Sequence, residues 1–169
     1  MPRAGKRSLY CRARTVSVSL EEYWSKRDFR RTLEPRGEVA GAGGRRFVVQ
    51  EHHASSLHWD LRLERDGVLR SWAVPKGVPE EWGVRRLAVQ TEDHPLEYAG
   101  FEGEIPQGEY GGGTIVIWDR GVYEEEKWRE GEIIVRLEGG RLKGRYCMIR
   151  LRGQPGNWLL FRCGKDEQG

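Results

Sequence analysis

Two histidines, an aspartate and an arginine (His52, His58, Asp60 and Arg62) lie within one short stretch of the chain. Residues 58–64 read His-Trp-Asp-Leu-Arg-Leu-Glu. Strict alternation on a strand puts Trp59, Leu61 and Leu63 on one face and His58, Asp60, Arg62 and Glu64 on the other. Neighbours on one face stand about 6.5–7 Å apart. His58 and Asp60 can therefore converge on one metal ion, with Arg62 beside it to hold an anion. His52 ends the preceding stretch, and a link over 53–57 is short enough for a hairpin, which would bring Gln50 and His52 alongside that row. Two imidazoles and a carboxylate with open positions suit Mn²⁺, Fe²⁺ or Zn²⁺ acting on a bound water or a substrate oxygen. The polar face of a half-solvated sheet has the same pattern, and both readings stand at this point. His53, on the turn, reads as solvated rather than as a ligand.

Further cations and acid–base groups follow. Lys76 sits in a Pro-Lys-Gly turn, Arg85 and Arg86 open a strand, and His94 closes one, stiffened by Pro95. An imidazole with an ordinary pKa near ~6.5 suits a general acid or a phosphate contact, and Tyr98 can add a hydroxyl. A guanidinium beside a metal is the usual clamp for a phosphoryl group. The bland alternatives are an exposed lysine, a strand-ending histidine beside a half-buried tyrosine, and strand aromatics that fill the core.

The elements that must position these residues are mostly strands. Period-2 patterns predict strands at 45–52, 58–64, 67–74, 85–92, 113–119, 132–138, 144–151 and 157–163. Asp66-Gly67 reads as a hairpin turn. About eight strands with short links favour a compact, mainly β, antiparallel barrel. Ser19-Leu-Glu-Glu22 has the form of a capping box and predicts a short N-terminal helix over roughly 20–31. The stretch Gly100 to Gly113 holds six glycines and one proline, a long loop of the kind that is functional or disordered.

At 169 residues the chain reads as one domain over 17–165 with a basic, flexible arm over 1–16. Lys and Arg number 29 against 26 Asp and Glu, a formal charge of +3, too mild to identify a nucleic-acid binder. The charge is uneven, however. Residues 1–36 hold ten Lys/Arg against four Asp/Glu, and an arm of that kind is either solvated or binds phosphates. A mean hydropathy of −0.73, with no apolar run of membrane-spanning length, excludes an integral helical membrane protein. No signal-peptide pattern follows the basic start. The three cysteines, Cys11, Cys147 and Cys163, lack metal-knuckle spacing and read as free thiols in a reducing cytoplasm. A monomer is expected, since no long apolar edge or amphipathic helix asks for a partner.

Several long motifs then occur in one order: Tyr23-x-x-Lys26-Arg27-x-Phe29, Glu34-Pro35, Phe47-Val-Val-Gln50-x-His52, Leu57-His58-x-Asp60-x-Arg62-Leu-Glu64, Ser71-Trp-Ala-Val-Pro-Lys76-Gly77, Glu92-Asp-His94-Pro-Leu-x-Tyr98, and Phe101-Glu-Gly-x-Ile-Pro-x-Gly-Glu-Tyr110-Gly-Gly-Gly-Thr-x-x-x-Trp118-Asp. From about residue 22 to 163 this resembles the 3′-phosphoesterase domain of bacterial DNA ligase D. Ligase and polymerase modules do not fit in this length, so a stand-alone member is expected. The resemblance implies a compact β-barrel dependent on Mn²⁺ or a similar divalent ion such as Co²⁺ or Zn²⁺. It implies a substrate of primer–template DNA with a 3′-ribonucleotide or 3′-phosphate end, and repair partners such as a separate ligase, a polymerase or a Ku-type end-binding protein. Such enzymes remove a 3′-terminal ribonucleoside, leaving a 3′-phosphate, and then hydrolyse that phosphate to a 3′-hydroxyl.

Carried over by motif, the metal ligands fall on His52, His58 and Asp60, the phosphate contacts on Arg62 and His94, and the monoesterase tyrosine on Tyr98. Gln50, Lys76 and Arg86 fall on further polar positions of the site. Arg27, Asp28 and Glu34 match the segment used chiefly for ribonucleoside removal. Water serves as nucleophile in the monoester step, and a 2′-hydroxyl could take part in the diester step. The loop His53-Ala-Ser-Ser56 departs from the family, which often has an acid followed by basic residues there, so backbone affinity is reduced or moved to the arm. Two rival readings exist. A 2-oxoglutarate-dependent Fe(II) oxygenase would use His58, Asp60 and His94 and leave His52 idle. A non-catalytic nucleic-acid-binding barrel would need none of them.

Overall fold

The computed structural model describes residues 18–164, so the basic arm and Cys11 lie outside the described residues. Nine strands follow one short helix, α1 (Glu21–Ser25): β1 (Arg46–His53), β2 (Leu57–Arg65), β3 (Val68–Val74), β4 (Arg85–His94), β5 (Gly103–Ile105), β6 (Gly113–Arg129), β7 (Glu132–Gly139), β8 (Lys143–Arg150) and β9 (Asn157–Arg162). A 3₁₀ turn spans Leu96–Gly100. All pairings are antiparallel, in the order β1-β2-β3-β4-β9-β8-β7-β6, and β1 pairs back onto β6 to close an eight-stranded barrel. β5 adds only to the start of β6. Closure removes the sheet edges that would otherwise invite pairing with another chain.

Each of the eight expected strands is present. β6 runs ten residues beyond its expected end at 119, because slips in register at Val49/Gln50 and at Glu125/Lys127 hide its period from a simple alternation count. The Asp66-Gly67 turn has φ of 56° and 80°, a left-handed pair whose twist matches that of the strands it joins. Among the described residues no helix is long and apolar enough to cross a membrane.

The inward-facing residues form one core that draws on every strand of the barrel. Phe47 and Val49, Leu61 and Leu63, Trp72 and Val74, Ala88, Tyr123, Val135, Met148 and Leu160 all belong to it. A second apolar layer lies outside the barrel wall, where Tyr23, Tyr98 and Ile105 pack on Leu69 and Ile115. This layer turns the outer face of β1–β4 from a solvated surface into a second interior.

Two expectations are corrected. The helix is five residues long, not twelve, and Leu20 rather than Ser19 is its N-cap. The Ser19 hydroxyl accepts a bond from the Glu21 N–H at 3.1 Å instead of closing a capping box. Past Ser25, Lys26 pairs with Glu92 at 3.1 Å and Arg27 with Glu34 at 3.0 Å. The Tyr23 hydroxyl also donates to the Pro35 carbonyl. These tertiary contacts pull the chain out of the helical path. The second correction is that Cys147 and Cys163 form a disulfide, with Cα atoms 5.7 Å apart. β8 and β9 pair in register Cys147↔Phe161, which sets Cys163 diagonally across the ladder from Cys147.

Candidate active site

The site lies on the outer face of β1–β4, beneath the second layer. β1 and β2 pair with Gln50 opposite Asp60 and His52 opposite His58, as the hairpin reading requires. Asp60 and Arg62 are buried (5% and 3% exposed), and so are His52 and His94 (6% and 3%). A cavity of about 300 Å³ opens above them, lined by His52, His58, Asp60, Arg62, His94 and Tyr98. Arg27 and Glu34 from the N-terminal segment and Tyr110 and Gly111 from the glycine-rich loop complete it.

The histidine environments show which nitrogens are free. His52 Nε2 lies 2.7 Å from the Gly111 carbonyl, and His58 Nδ1 lies 3.1 Å from the Ser56 carbonyl. A carbonyl only accepts, so each of those nitrogens carries the hydrogen. The other nitrogen of each ring faces Asp60 Oδ2, at 3.5 Å for His52 Nδ1 and 3.3 Å for His58 Nε2. Lone pairs so opposed to a buried carboxylate call for a positive charge between them. Without a metal the hydrogen bond to Asp60 raises the His58 pKa, because a proton is then the cation available. Burial alone would raise the Asp60 carboxyl, but Arg62, His52 and His58 together hold it well below the usual carboxylate range. The three ligand atoms lie within 4.8 Å of one another, and among the described residues this is the group that could hold a metal ion. Imidazoles anchored by backbone carbonyls on their far nitrogens are the usual support of a metal site. The residues fit a divalent cation.

Arg62 is held on all sides. Its Nε donates to Gln50 Oε1 at 2.7 Å and its Nη1 to the Ser71 hydroxyl at 2.9 Å. Its Nη2 lies 3.5 Å from Asp60 Oδ2, and its guanidinium carbon is 4.7 Å from the Tyr98 ring centre. His94 Nδ1 lies 2.8 Å from the Glu92 carbonyl and His94 Nε2 lies 3.4 Å from Arg27 Nη2. Arginine only donates, so His94 is the neutral tautomer with a bare Nε2. Burial pushes its pKa well below the ordinary imidazole value, and the charges of Arg62 and Arg27 push it further. The Tyr98 hydroxyl donates to Glu34 Oε1 at 2.7 Å. Burial raises its pKa well above that of an ordinary phenol, and only in part do the cations Arg62 and Arg27 offset this.

Not every candidate from the sequence meets here. Gln50 lies behind the cavity, where its amide also donates to the Tyr98 and Phe101 carbonyls at 2.8 and 3.0 Å. Asp28 pairs with Arg30 at 3.0 Å on the surface. Lys76 and Arg86 line a separate groove with Trp59 and Trp118, and Arg86 Nη1 donates to the Lys76 carbonyl at 2.5 Å. His53 is exposed, 3.5 Å from Glu51. His94 faces Arg27 and is not part of the possible ligand group, which is not the arrangement an oxygenase triad would use. The site also contains Ser71, Thr91, Glu92, Tyr110 and Gly111, which the sequence reading did not assign. For Glu92 the available signal was its spacing of two from His94. The others are drawn in by loop and register geometry.

Comparison with known proteins bears on this site. Residues 50–150 match the family described as the DNA ligase D 3′-phosphoesterase domain. The multifunctional non-homologous end joining protein LigD of Mycobacterium bovis is 52% identical over 153 residues, covering 87% of this chain and 20% of that protein. The corresponding protein of Mycolicibacterium smegmatis is 51% identical over 166 residues (90% and 21%), and that of Pseudomonas aeruginosa 48% over 161 (89% and 19%). The chain thus spans about a fifth of the length of the curated relatives it matches.

Proposed function

The chain belongs to the DNA ligase D 3′-phosphoesterase domain family, and from that premise we propose that it is a divalent-metal-dependent hydrolase that heals nucleic-acid 3′ ends for end joining. It removes a 3′-terminal ribonucleoside and then the resulting 3′-phosphate. The observation that carries this reading is the convergence of the free nitrogens of His52 and His58 on Asp60 Oδ2, with Arg62 Nη2 3.5 Å from the same oxygen.

The charges of the cavity explain why a metal is needed. Its lining sets two guanidinium groups, Arg27 and Arg62, against the carboxylates of Glu34, Asp60 and Glu92. A phosphoryl anion is repelled from that balance until a cation is added. A divalent ion held by His52, His58 and Asp60, with Mn²⁺ as the first choice, would supply Lewis acidity toward a phosphoryl oxygen and a polarised water.

The protein's own groups do the rest. Arg62, with Nε and Nη1 spent on Gln50 and Ser71, turns Nη2 to the non-bridging oxygens. In each hydrolysis a P–O bond forms to the attacking oxygen, and the bond to the leaving oxygen breaks as that oxygen takes up a proton. His94 is neutral in the free protein and has no hydrogen on Nε2 to give. An incoming phosphoryl anion offsets the field of Arg62 and Arg27, so His94 takes up a proton with the substrate and can then protonate the leaving oxygen. The Arg27–Glu34–Tyr98 chain, with links of 3.0 and 2.7 Å, holds the wall opposite the metal ligands and ties the N-terminal segment to Tyr98.

The test uses metal-stripped protein and a primer–template ending in one 3′-ribonucleotide, with Mn²⁺ or buffer, beside His58→Ala. Mn²⁺-dependent shortening to a 3′-phosphate and then a 3′-hydroxyl, absent in the variant, is the expected result. Accumulation of the 3′-phosphate would restrict the chain to the diesterase step. Tight duplex binding without cleavage in Mn²⁺, Co²⁺ or Zn²⁺ would overturn the enzymatic reading in favour of a binding barrel.

A further inference from the structure

A second cavity of about 590 Å³ adjoins the first, and Thr91, Glu92 and Tyr110 line both. We propose that this second cavity receives the 3′-terminal nucleoside, the group that leaves in the first step, with the Tyr110 ring as its stacking wall. The inference rests on the phosphoesterase reading above and names where the part of the substrate beyond the scissile phosphate sits.

Three observations converge on it. The first is charge. The cations on the wall of the second cavity are already paired, Lys26 with Glu22 and Glu92 at 3.0 and 3.1 Å, and Arg70 with Asp93 at 2.6 Å. Three carboxylates against two cations make a poor seat for a phosphate backbone. They make a good one for a neutral group rich in hydroxyls and amides. A 3′-terminal nucleoside is such a group, since no phosphate follows it.

The second observation is Tyr110 itself, a large aromatic left 47% exposed at the rim. Lys26 Nζ and the Arg27 guanidinium lie 5.0 and 5.3 Å from its ring centre. Its loop is pinned at both neighbours: Glu109 pairs with Arg31 at 3.0 Å, and the Gly111 carbonyl accepts from His52 at 2.7 Å. The ring is thus held one residue from the group that orients a candidate metal ligand. An exposed, fixed aromatic beside a nucleic-acid end is a stacking platform for a base of any identity.

The third observation is the Thr91 hydroxyl, which is buried and has no hydrogen-bond partner. A buried hydroxyl left unpaired is costly, and this one belongs to a residue shared by the two cavities. Turned toward either cavity, it would be satisfied by a ribose hydroxyl or a base amide.

The test compares wild type, Tyr110→Ala, Tyr110→Leu and Tyr110→Trp in Mn²⁺ on two primer–templates that differ only in ending with a 3′-ribonucleotide or a 3′-phosphate. Tyr110→Ala and Tyr110→Leu should raise KM for the ribonucleotide end about 5- to 150-fold, the range of one lost base–aromatic stack. Tyr110 also lines the first cavity, so the 3′-phosphate reaction can lose some rate. Its loss should be at least about fivefold smaller than that on the ribonucleotide end, because no nucleoside lies beyond its phosphate. Tyr110→Trp should restore the ribonucleotide reaction, which a merely structural role for the tyrosine would not predict. Separately, without metal, free 2-aminopurine riboside, which carries no phosphate to be repelled, should change fluorescence on binding to wild type but not to Tyr110→Ala. Equal losses on the two ends, no loss on either, or an unchanged fluorescence response in Tyr110→Ala would overturn the proposal. If wild type cleaves neither end, the phosphoesterase reading fails, and the metal-free fluorescence signal decides the nucleoside cavity on its own.

Discussion

Gln50 clamps Arg62 to the second layer: its side-chain oxygen accepts from Arg62 Nε at 2.7 Å while its amide nitrogen donates to the Tyr98 carbonyl at 2.8 Å. Both residues are buried, Gln50 fully and Arg62 at 3% exposure. Breaking the clamp takes the Gln50 side chain from one guanidinium N–H and from the Phe101 carbonyl, while the Tyr98 carbonyl still accepts from the Phe101 N–H at 3.1 Å. Gln50→Leu should therefore destabilise the protein by about 1.5–3 kcal/mol, read from urea unfolding. It should also lower turnover, since Arg62 loses its fixed orientation. A variant with wild-type stability and turnover would remove Gln50 from the account.

Metal binding should stabilise the fold, because the three ligands come from two paired strands that the unfolded chain does not hold together. At Mn²⁺ one hundred times its dissociation constant the gain is about 2.7 kcal/mol. It should appear as an upward shift in Tm that His58→Ala and Asp60→Asn abolish. A shift of wild-type size in either variant would place the ion elsewhere.

The neutrality of His94 has a pH signature. Its pKa in the folded protein lies well below the ordinary 6.5, through burial and then through Arg62 and Arg27. The unfolded chain therefore binds the proton more readily. The His94 contribution to stability is present above the unfolded value and lost as pH falls from there through the folded one. Metal-free wild type should lose stability relative to His94→Gln between about pH 7 and pH 5. Nitrogen-15 spectra should show His94 as the Nδ1–H tautomer at the acid end. An imidazolium there would contradict the assignment.

The Cys147–Cys163 bridge closes a loop of sequence separation 16, which in the chain-entropy model stabilises by about 3 kcal/mol. Denatured without reductant, the chain should titrate one thiol rather than three. Reductant should lower the wild-type Tm to that of Cys147→Ser, whose own Tm should not respond. Three free thiols in the unreduced protein would rule the bridge out.

The sequence by itself determined the eight barrel strands, the Asp66-Gly67 turn and the common face of His58, Asp60 and Arg62, with His52 and Gln50 across the hairpin from them. All of these follow from local rules: side-chain alternation has period 2, and a short link forces antiparallel pairing. What the outer face would meet was not local. The same alternation fits a solvated surface, and only the folding back of residues 23–36 and the packing of Tyr98 and Ile105 buried it. The helix was cut short for the same reason, since Lys26 and Arg27 find Glu92 and Glu34 far away in the chain.

The fate of β4 shows the limit most sharply. From Leu69 to Ser71 β3 advances two residues, while β4 advances three from Thr91 to His94. Ala88 therefore points into the barrel core, whereas His94, also at an even position, points outward onto Tyr98 and Tyr23. Arg86 lies before that slip and opens on a different groove, with Lys76 and Trp59. No residue type marks the extra position, because a bulge is selected by the pairing of two strands and not by either one alone. Local periodicity named the chemistry of the site, and the register slip in β4 decided which of its candidates face one another.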